Sequence, residues 1–143
     1  MKLLNKKIHR PSILILFLLF LTACNMPMPD LDLEPEVNKL FSALQAEDYD
    51  TMLPMYSDKF YKSIEREHWR LSLKQFSEHM GPMESYRIRY KQADTKFSGK
   101  FFVFQMETRH EGQKKARHVL TFVLPFDGGD VGLVAHKITA KGL

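Results

Sequence analysis

Residues 100–126 read KFFVFQMETRHEGQKKARHVLTFVLPF. Two runs rich in aromatic and β-branched residues, Lys100 to His110 and Ala116 to Phe126, flank a polar stretch that contains Gly112. Runs of this kind bounded by turn residues read as strands, and a short connection containing glycine reads as a hairpin turn. A turn through Glu111-Gly112-Gln113 places Phe102 opposite Phe122, Phe104 opposite Leu120 and Met106 opposite His118. That register gathers apolar side chains on one face, which is what specifies register in a half-buried hairpin.

The pattern extends to both sides. Upstream, Ser85 to Ala93 alternates Tyr86, Ile88 and Tyr90 with Arg87, Arg89 and Lys91. Downstream, Gly128-Gly129 supplies a turn and Gly132 to Ala140 a fourth strand, in a register the sequence leaves open. Before residue 83 the apolar period is helical. Pro35 suits a first helical turn, and Val37, Leu40, Phe41 and Leu44 follow at helical spacing. Asp48 or Asp50 can cap a short second helix containing Met52, Leu53 and Met55, and Ser57-Asp58 marks a break. A third helix is expected from near Ser63, with Glu65 and Glu67 in its first turn, where acids suit the dipole. Its apolar face holds Trp69, Leu73, Phe76 and Met80, and Gly81-Pro82 ends it. Helices followed by a four-stranded antiparallel meander define an α+β fold, with the helices covering one face of a curved sheet. Trp69 is expected to pack on that sheet near Phe102, Phe104 or Phe122.

The N-terminus has a different character. Lys2, Lys6, Lys7 and Arg10 precede an uninterrupted apolar run, Ile13 to Leu21, and then Leu21-Thr22-Ala23-Cys24. A basic segment, a short apolar segment and small residues before a cut are the parts of an export signal. The run falls short of the ~20 apolar residues that a membrane-spanning helix needs. Leu21 to Cys24 resembles the lipobox of bacterial lipoproteins. The resemblance implies a diacylglyceryl group on the Cys24 thiol, cleavage just before it, and palmitate in the mature anchor. Cys24 is the only cysteine, so no intramolecular disulfide is available and the domain must stand on its core. The implied organisation is a signal peptide at 1–23, lipidated Cys24 with a tether through residue 34, and a single domain at 35–143. The expected address is the cell envelope. In a Gram-negative host Asn25, which is not aspartate, implies the outer membrane facing the periplasm.

The net charge of +4 belongs to the signal. Without residues 1–23 the chain carries 17 basic and 17 acidic side chains, which gives no argument for nucleic-acid binding. The charges are unevenly placed. Residues 25–84 hold 6 basic and 12 acidic residues, and residues 85–143 hold 11 and 5. Opposed elements of one domain would attract weakly on this account. A basic sheet surface facing an anionic lipid or polymer is the functional counterpart.

The run Ala43-Leu44-Gln45-Ala46-Glu47-Asp48-Tyr49-Asp50-Thr51-Met52, then Tyr56-Ser57-Asp58-Lys59-Phe60, His68-Trp69, Leu73 and Gly81, resembles the nuclear-transport-factor-like cone fold in its small secreted form. The resemblance spans about residues 36–140. It implies a conical pocket between sheet and helices. That superfamily includes isomerases and dehydratases alongside binding domains, so the fold does not decide the function.

No catalytic or metal-binding motif stands out. His68, His79, His110, His118 and His136 form no metal-ligand spacing, and no cofactor is implied. His118 and His136 are expected to be neighbours on adjacent strands, at the sheet edge or surface, and to titrate ordinarily. The aromatic stripe Phe97, Phe101, Phe102, Phe104, Phe122 and Phe126 reads as core, or else as the lining of a ligand cavity. Tyr86, Tyr90 and Glu107 are the candidate polar trio for acid–base work. Together Tyr86, Tyr90, Phe102, Phe104, Glu107 and Phe122 make the candidate ligand-binding set. The sequence favours a non-catalytic interaction domain on a lipid anchor. Its partners would be the membrane, through Cys24, and an envelope protein or a small apolar ligand. The alternative is a small cone-fold enzyme of the isomerase or hydrolase type.

Overall fold

The computed structural model describes residues 31–142. The expected signal peptide, Cys24, Asn25 and the expected tether up to residue 30 lie outside the described residues, as does Leu143. No helix among the described residues is long and apolar enough to cross a membrane.

Helix α1 spans Glu34–Gln45, with Pro35 in its first turn and Glu34 and Glu36 near its N-terminus, where acids oppose the helix dipole. It buries Val37, Leu40, Phe41, Ala43 and Leu44. A short helix α2, Tyr49–Met52, follows. The Asp48 carboxylate accepts from Thr51 N at 3.1 Å and satisfies a donor that a helix start leaves open. Leu53–Met55 continues as one 3-10 turn. Ser57-Asp58 is not a simple break. Ser57 caps a further turn, α3, Asp58–Tyr61, which buries Phe60. Helix α4, Arg66–Met80, buries Trp69, Leu73, Phe76 and Met80, the face expected from their spacing. It ends at Gly81 (φ 77°).

Four strands follow in a meander: β1 Met83–Lys96, β2 Gly99–His110, β3 Lys115–Pro125 and β4 Gly132–Ala140. The β2–β3 register matches the expectation, with Phe102 on Phe122, Phe104 on Leu120 and Met106 on His118. Gly112 (φ 68°) makes its turn. At the other end of β2, a side chain at Gly99 would meet Leu124 O at 2.4 Å, so glycine is what lets these two strands close up.

Two bulges set the faces of the outer strands. Between Ile88 and Tyr90 the β1 register shifts by one. Tyr86 and Ile88 pair with Thr108 and Met106, but Tyr90 pairs with Gln105 and Lys91 with Phe104. A one-residue slip exchanges the faces. Tyr90 therefore turns outward, contrary to the simple alternation, and Lys91 turns towards the helices, where it forms an ion pair with Glu34. In β4, Phe122 pairs with Leu133 and Leu120 with His136, with a bulge between. Leu133 and His136 consequently share the inner face.

The helices cover that inner face. Phe102, Phe104, Met106, Leu120, Phe122 and Leu133 are buried, as are Phe41, Leu44, Met52 and Leu73 on the helices. Trp69 is buried but sits away from Phe102, Phe104 and Phe122. It packs on Tyr56, Phe60 and His136 at centroid distances of 5.8, 5.3 and 5.5 Å. β4 lies at the sheet edge and α4 lies over it, with Trp69 by His136 and with Phe76 and Met80 by Ile138 and Ala140, so the indole meets the edge of the sheet rather than its middle. The aromatic stripe also divides. Phe102, Phe104 and Phe122 are core, whereas Phe97 and Phe126 are exposed.

Candidate functional site

Period-two alternation along β2 runs from Phe102 through Phe104 and Met106 to Thr108 and His110, all on the inner face. On β3 the same face holds His118, and on β4 His136. Thr108, His110, His118 and His136 are thus all buried. His118 and His136 are neighbours on adjacent strands, and β4 is the edge strand, as expected, but both are buried, which corrects the expectation of a surface pair that titrates ordinarily. Buried polar groups need partners, and here they satisfy one another.

Their hydrogen bonds form one line. His110 Nδ1 meets Gly81 O at 3.0 Å, and His110 Nε2 meets Thr108 Oγ1 at 2.9 Å. Thr108 Oγ1 meets His118 Nε2 at 3.2 Å, and His118 Nδ1 meets His136 Nε2 at 3.0 Å. His136 Nδ1 meets the Tyr56 hydroxyl at 2.7 Å. The carbonyl of Gly81 can only accept, so His110 Nδ1 donates to it. A neutral imidazole has one donor and one acceptor, and each following proton is thereby fixed. Tyr56 donates to His136, His136 to His118, His118 to Thr108, and Thr108 to His110. Every nitrogen is used once when all three rings are neutral. A proton added at His118 Nδ1 would set it against the His136 Nε2 donor, whereas the Tyr56 and Thr108 hydroxyls can turn to accept.

The titration behaviour agrees. Burial pushes His136 down to about 3. Burial, then the neighbouring His136 and His110, hold His118 well below its ordinary value. Burial also lowers His110, partly offset by the Gly81 carbonyl. Tyr56 is raised by burial. The Trp69 indole N–H lies close enough to the Tyr56 oxygen to oppose part of that rise, but makes no hydrogen bond and is otherwise unpartnered. A groove of about 300 Å³ lined by Trp69, Ser72, Gln75, Phe76, His136 and Ile138 reaches the edge of this network. Both His136 nitrogens are already engaged, so neither is free to take a substrate proton without breaking the line. The arrangement is that of a packed polar core.

The candidate ligand residues do not converge. Phe102, Phe104 and Phe122 are core side chains. Phe122 also borders an apolar cleft of about 360 Å³ that includes Leu33, Pro35, Val131 and Leu133. Tyr86 lies under α1, with its hydroxyl 2.8 Å from Ser42 Oγ and its ring on Phe41. Tyr90 and Glu107 are on the outer face, so the Tyr86–Tyr90–Glu107 trio is split by the sheet. Arg87 donates to Glu107 Oε1 from Nε at 3.1 Å and from Nη2 at 2.6 Å. This pairing holds the Glu107 carboxyl below its usual range, with Arg89 and Lys115 adding to the effect. A carboxylate so stabilised is a poor general base near neutral pH.

Around Glu107 the outer face forms a depression of about 710 Å³. Arg89, Lys115, Arg117 and Lys141 line it with Tyr90. Glu107 is the only carboxylate in that lining among the described residues, and its ion pair is with Arg87. The β1 bulge brings Tyr90 here, and the β2–β3 register sets Glu107 opposite Arg117. The sequence showed the basic excess of this half but not its concentration on one side of the sheet. Among the described residues, no group of three or more histidine, cysteine or acidic side chains is placed to hold a metal ion.

The fold defined by these elements is α+β, with helices on one face of an open four-stranded antiparallel sheet. No family model matches the sequence. No match was found among curated proteins. Among solved structures, the fold is similar to one described as "Structure of Bdellovibrio bacteriovorus Bd1075", with a TM-score of 0.53 and 9% identity over 76% of this chain. The match spans 39% of that longer chain, and at this identity it speaks for the fold alone.

Proposed function

We propose that this chain is an envelope lipoprotein, anchored through Cys24, whose domain is a non-catalytic interaction module. Its outer sheet face takes an anionic group of an envelope partner. The observation that carries the reading is the depression around Glu107, where four cationic side chains share one carboxylate already engaged by Arg87. Guanidinium groups suit carboxylate and phosphate partners, which they can grip in a bidentate way. The inner face offers less. It is filled by core side chains, and its imidazoles are engaged with one another.

Two results test the two halves of this reading. Replacing Cys24 by Ala is expected to stop incorporation of labelled palmitate and to block normal processing. A wild-type protein that takes up no palmitate would remove the anchor. Arg117→Glu with Lys115→Glu is expected to abolish copurification of the bound species from detergent-solubilised membranes. Capture of the wild-type partner should also weaken steeply with added salt, because exposed charges are screened within ~8 Å at physiological ionic strength. Undiminished capture by the doubly reversed variant would overturn the basic face as the binding surface. By the Asn25 resemblance, the mature protein should fractionate with the outer membrane in a Gram-negative host.

A further inference from the structure

The β1–β2 hairpin runs past the helical layer. Helix α1 begins beside Lys91, which its Glu34 engages, yet β1 continues to Lys96 and every residue from Tyr90 to Ser98 is exposed. Phe97 at the tip is fully exposed. The β3–β4 loop lies alongside, since Phe126 N donates to Ser98 O at 3.4 Å. It presents Phe126, which is 49% exposed. Lys96 and Lys100 flank the pair, with their ammonium groups over Phe101 and Phe102 at 5.5 and 5.3 Å. Two neighbouring aromatics thus face solvent at this tip, Phe97 wholly and Phe126 by about half, with lysines folded back beside them.

The same end receives the tether. Leu33 and Pro35 border one cleft with Val131 and Phe122, at the base of the β3–β4 loop. Only eight residues, 25–32, separate the lipidated cysteine from Leu33, a reach of at most ~30 Å when extended. The tip projects about six residues beyond Lys91, or ~20 Å. Lipid and tip can therefore touch one bilayer together, and the short tether keeps the local lipid concentration high.

We propose that the Phe97–Phe126 end is a membrane-contact surface, which seats both rings at the headgroup–acyl boundary of the bilayer that holds the Cys24 lipid. The inference rests on the lipid-anchor reading. Apolar side chains of this kind partition into that boundary. Coulombic attraction is not the cause, because Lys96 lies 4.0 Å from Asp94 and the adjoining β3–β4 loop carries Asp127 and Asp130. Contact should therefore be independent of anionic lipid and of salt. Seated this way, the strands point away from the surface. β2 spans twelve residues, about 36 Å, so the basic depression at its far end faces away from the membrane, towards a partner.

The test uses the lipidated mature protein in phosphatidylcholine vesicles, with and without phosphatidylglycerol. Phe97→Trp adds an indole at the tip, and Lys114→Trp adds one at the opposite end. Buried Trp69 serves as a common background. Brominated lipid should quench the indole added by Phe97→Trp and leave that from Lys114→Trp unchanged. The emission of the Phe97→Trp protein should shift to the blue equally in both vesicle types. Flotation of the protein without quenching of the tip indole would overturn the membrane contact while keeping the anchor. Equal quenching at the two ends would overturn it too. Failure of the wild-type protein to float at all would remove the anchor, and the contact with it.

Discussion

Lowering the pH from 7 to 5 is expected to remove about 4 kcal/mol from the folding stability of this domain. His118 is fully enclosed and His136 is buried at the edge of a groove, and both are held neutral in the folded state. In the unfolded chain each takes up a proton near its ordinary value of 6.5. Below that value the unfolded state binds the extra protons, so stability falls as pH falls. Each group contributes a slope of about 1.4 kcal/mol per pH unit, and two groups over one and a half units give the total. The contribution is complete above about pH 7. For His136 it continues to fall until about pH 3, its value in the folded state. His110, also lowered, adds in the same direction. Against a typical stability of ~5–15 kcal/mol, the loss is large enough to bring acid unfolding close to pH 5. Urea denaturation at a series of pH values measures the slope directly. A midpoint that does not move between pH 7 and 5 would mean that the two imidazoles are solvated or paired with a carboxylate.

Trp69→Ala is expected to cost about 3–5 kcal/mol, the range for removing a buried large aromatic side chain. The indole closes the end of the polar network, touching Tyr56, Phe60 and His136. Its removal should have a second effect that distinguishes it from a generic core deletion. Water entering from the adjoining groove would reach His136 and raise its titration point towards that of a free imidazole. The acid dependence of stability should then fall from nearly two protons towards one. A variant that melts within a few degrees of the wild type, with an unchanged pH slope, would show that Trp69 neither supports the core nor shields the histidine.

These two effects follow from a polar line inside an apolar layer. Such a line has consequences for specificity as well as stability. Tyr56, His136, His118, Thr108 and His110 come from the connection after α2 and from three strands. Only the observed strand pairing satisfies all of them, and a slipped register would leave buried donors and acceptors open at roughly 1–3 kcal/mol each. The network therefore penalises alternative registers of the same meander.

Much of this architecture was already determined by the sequence. The period change near residue 83 separates helices from strands. The β2–β3 register follows from pairing apolar with apolar around Gly112, and the same pairing already placed His118 on the inner side, opposite Met106. Continuing that alternation to Thr108 and His110 was the available signal for a buried polar cluster. The charge asymmetry between the halves was also legible. Tertiary structure alone decided where Tyr90, Leu133 and His136 point. Each depends on a bulge, and a bulge adds one residue without leaving a distinctive composition. It decided that Trp69 meets the sheet edge rather than its centre, because the placement of α4 over β4 is fixed by packing between distant segments. It also decided which charges gather around Glu107 and which phenylalanines remain outside. Periodicity assigns a residue to a face, but whether that face is covered depends on how far the opposite layer extends, and here the helices stop short of the hairpin tip.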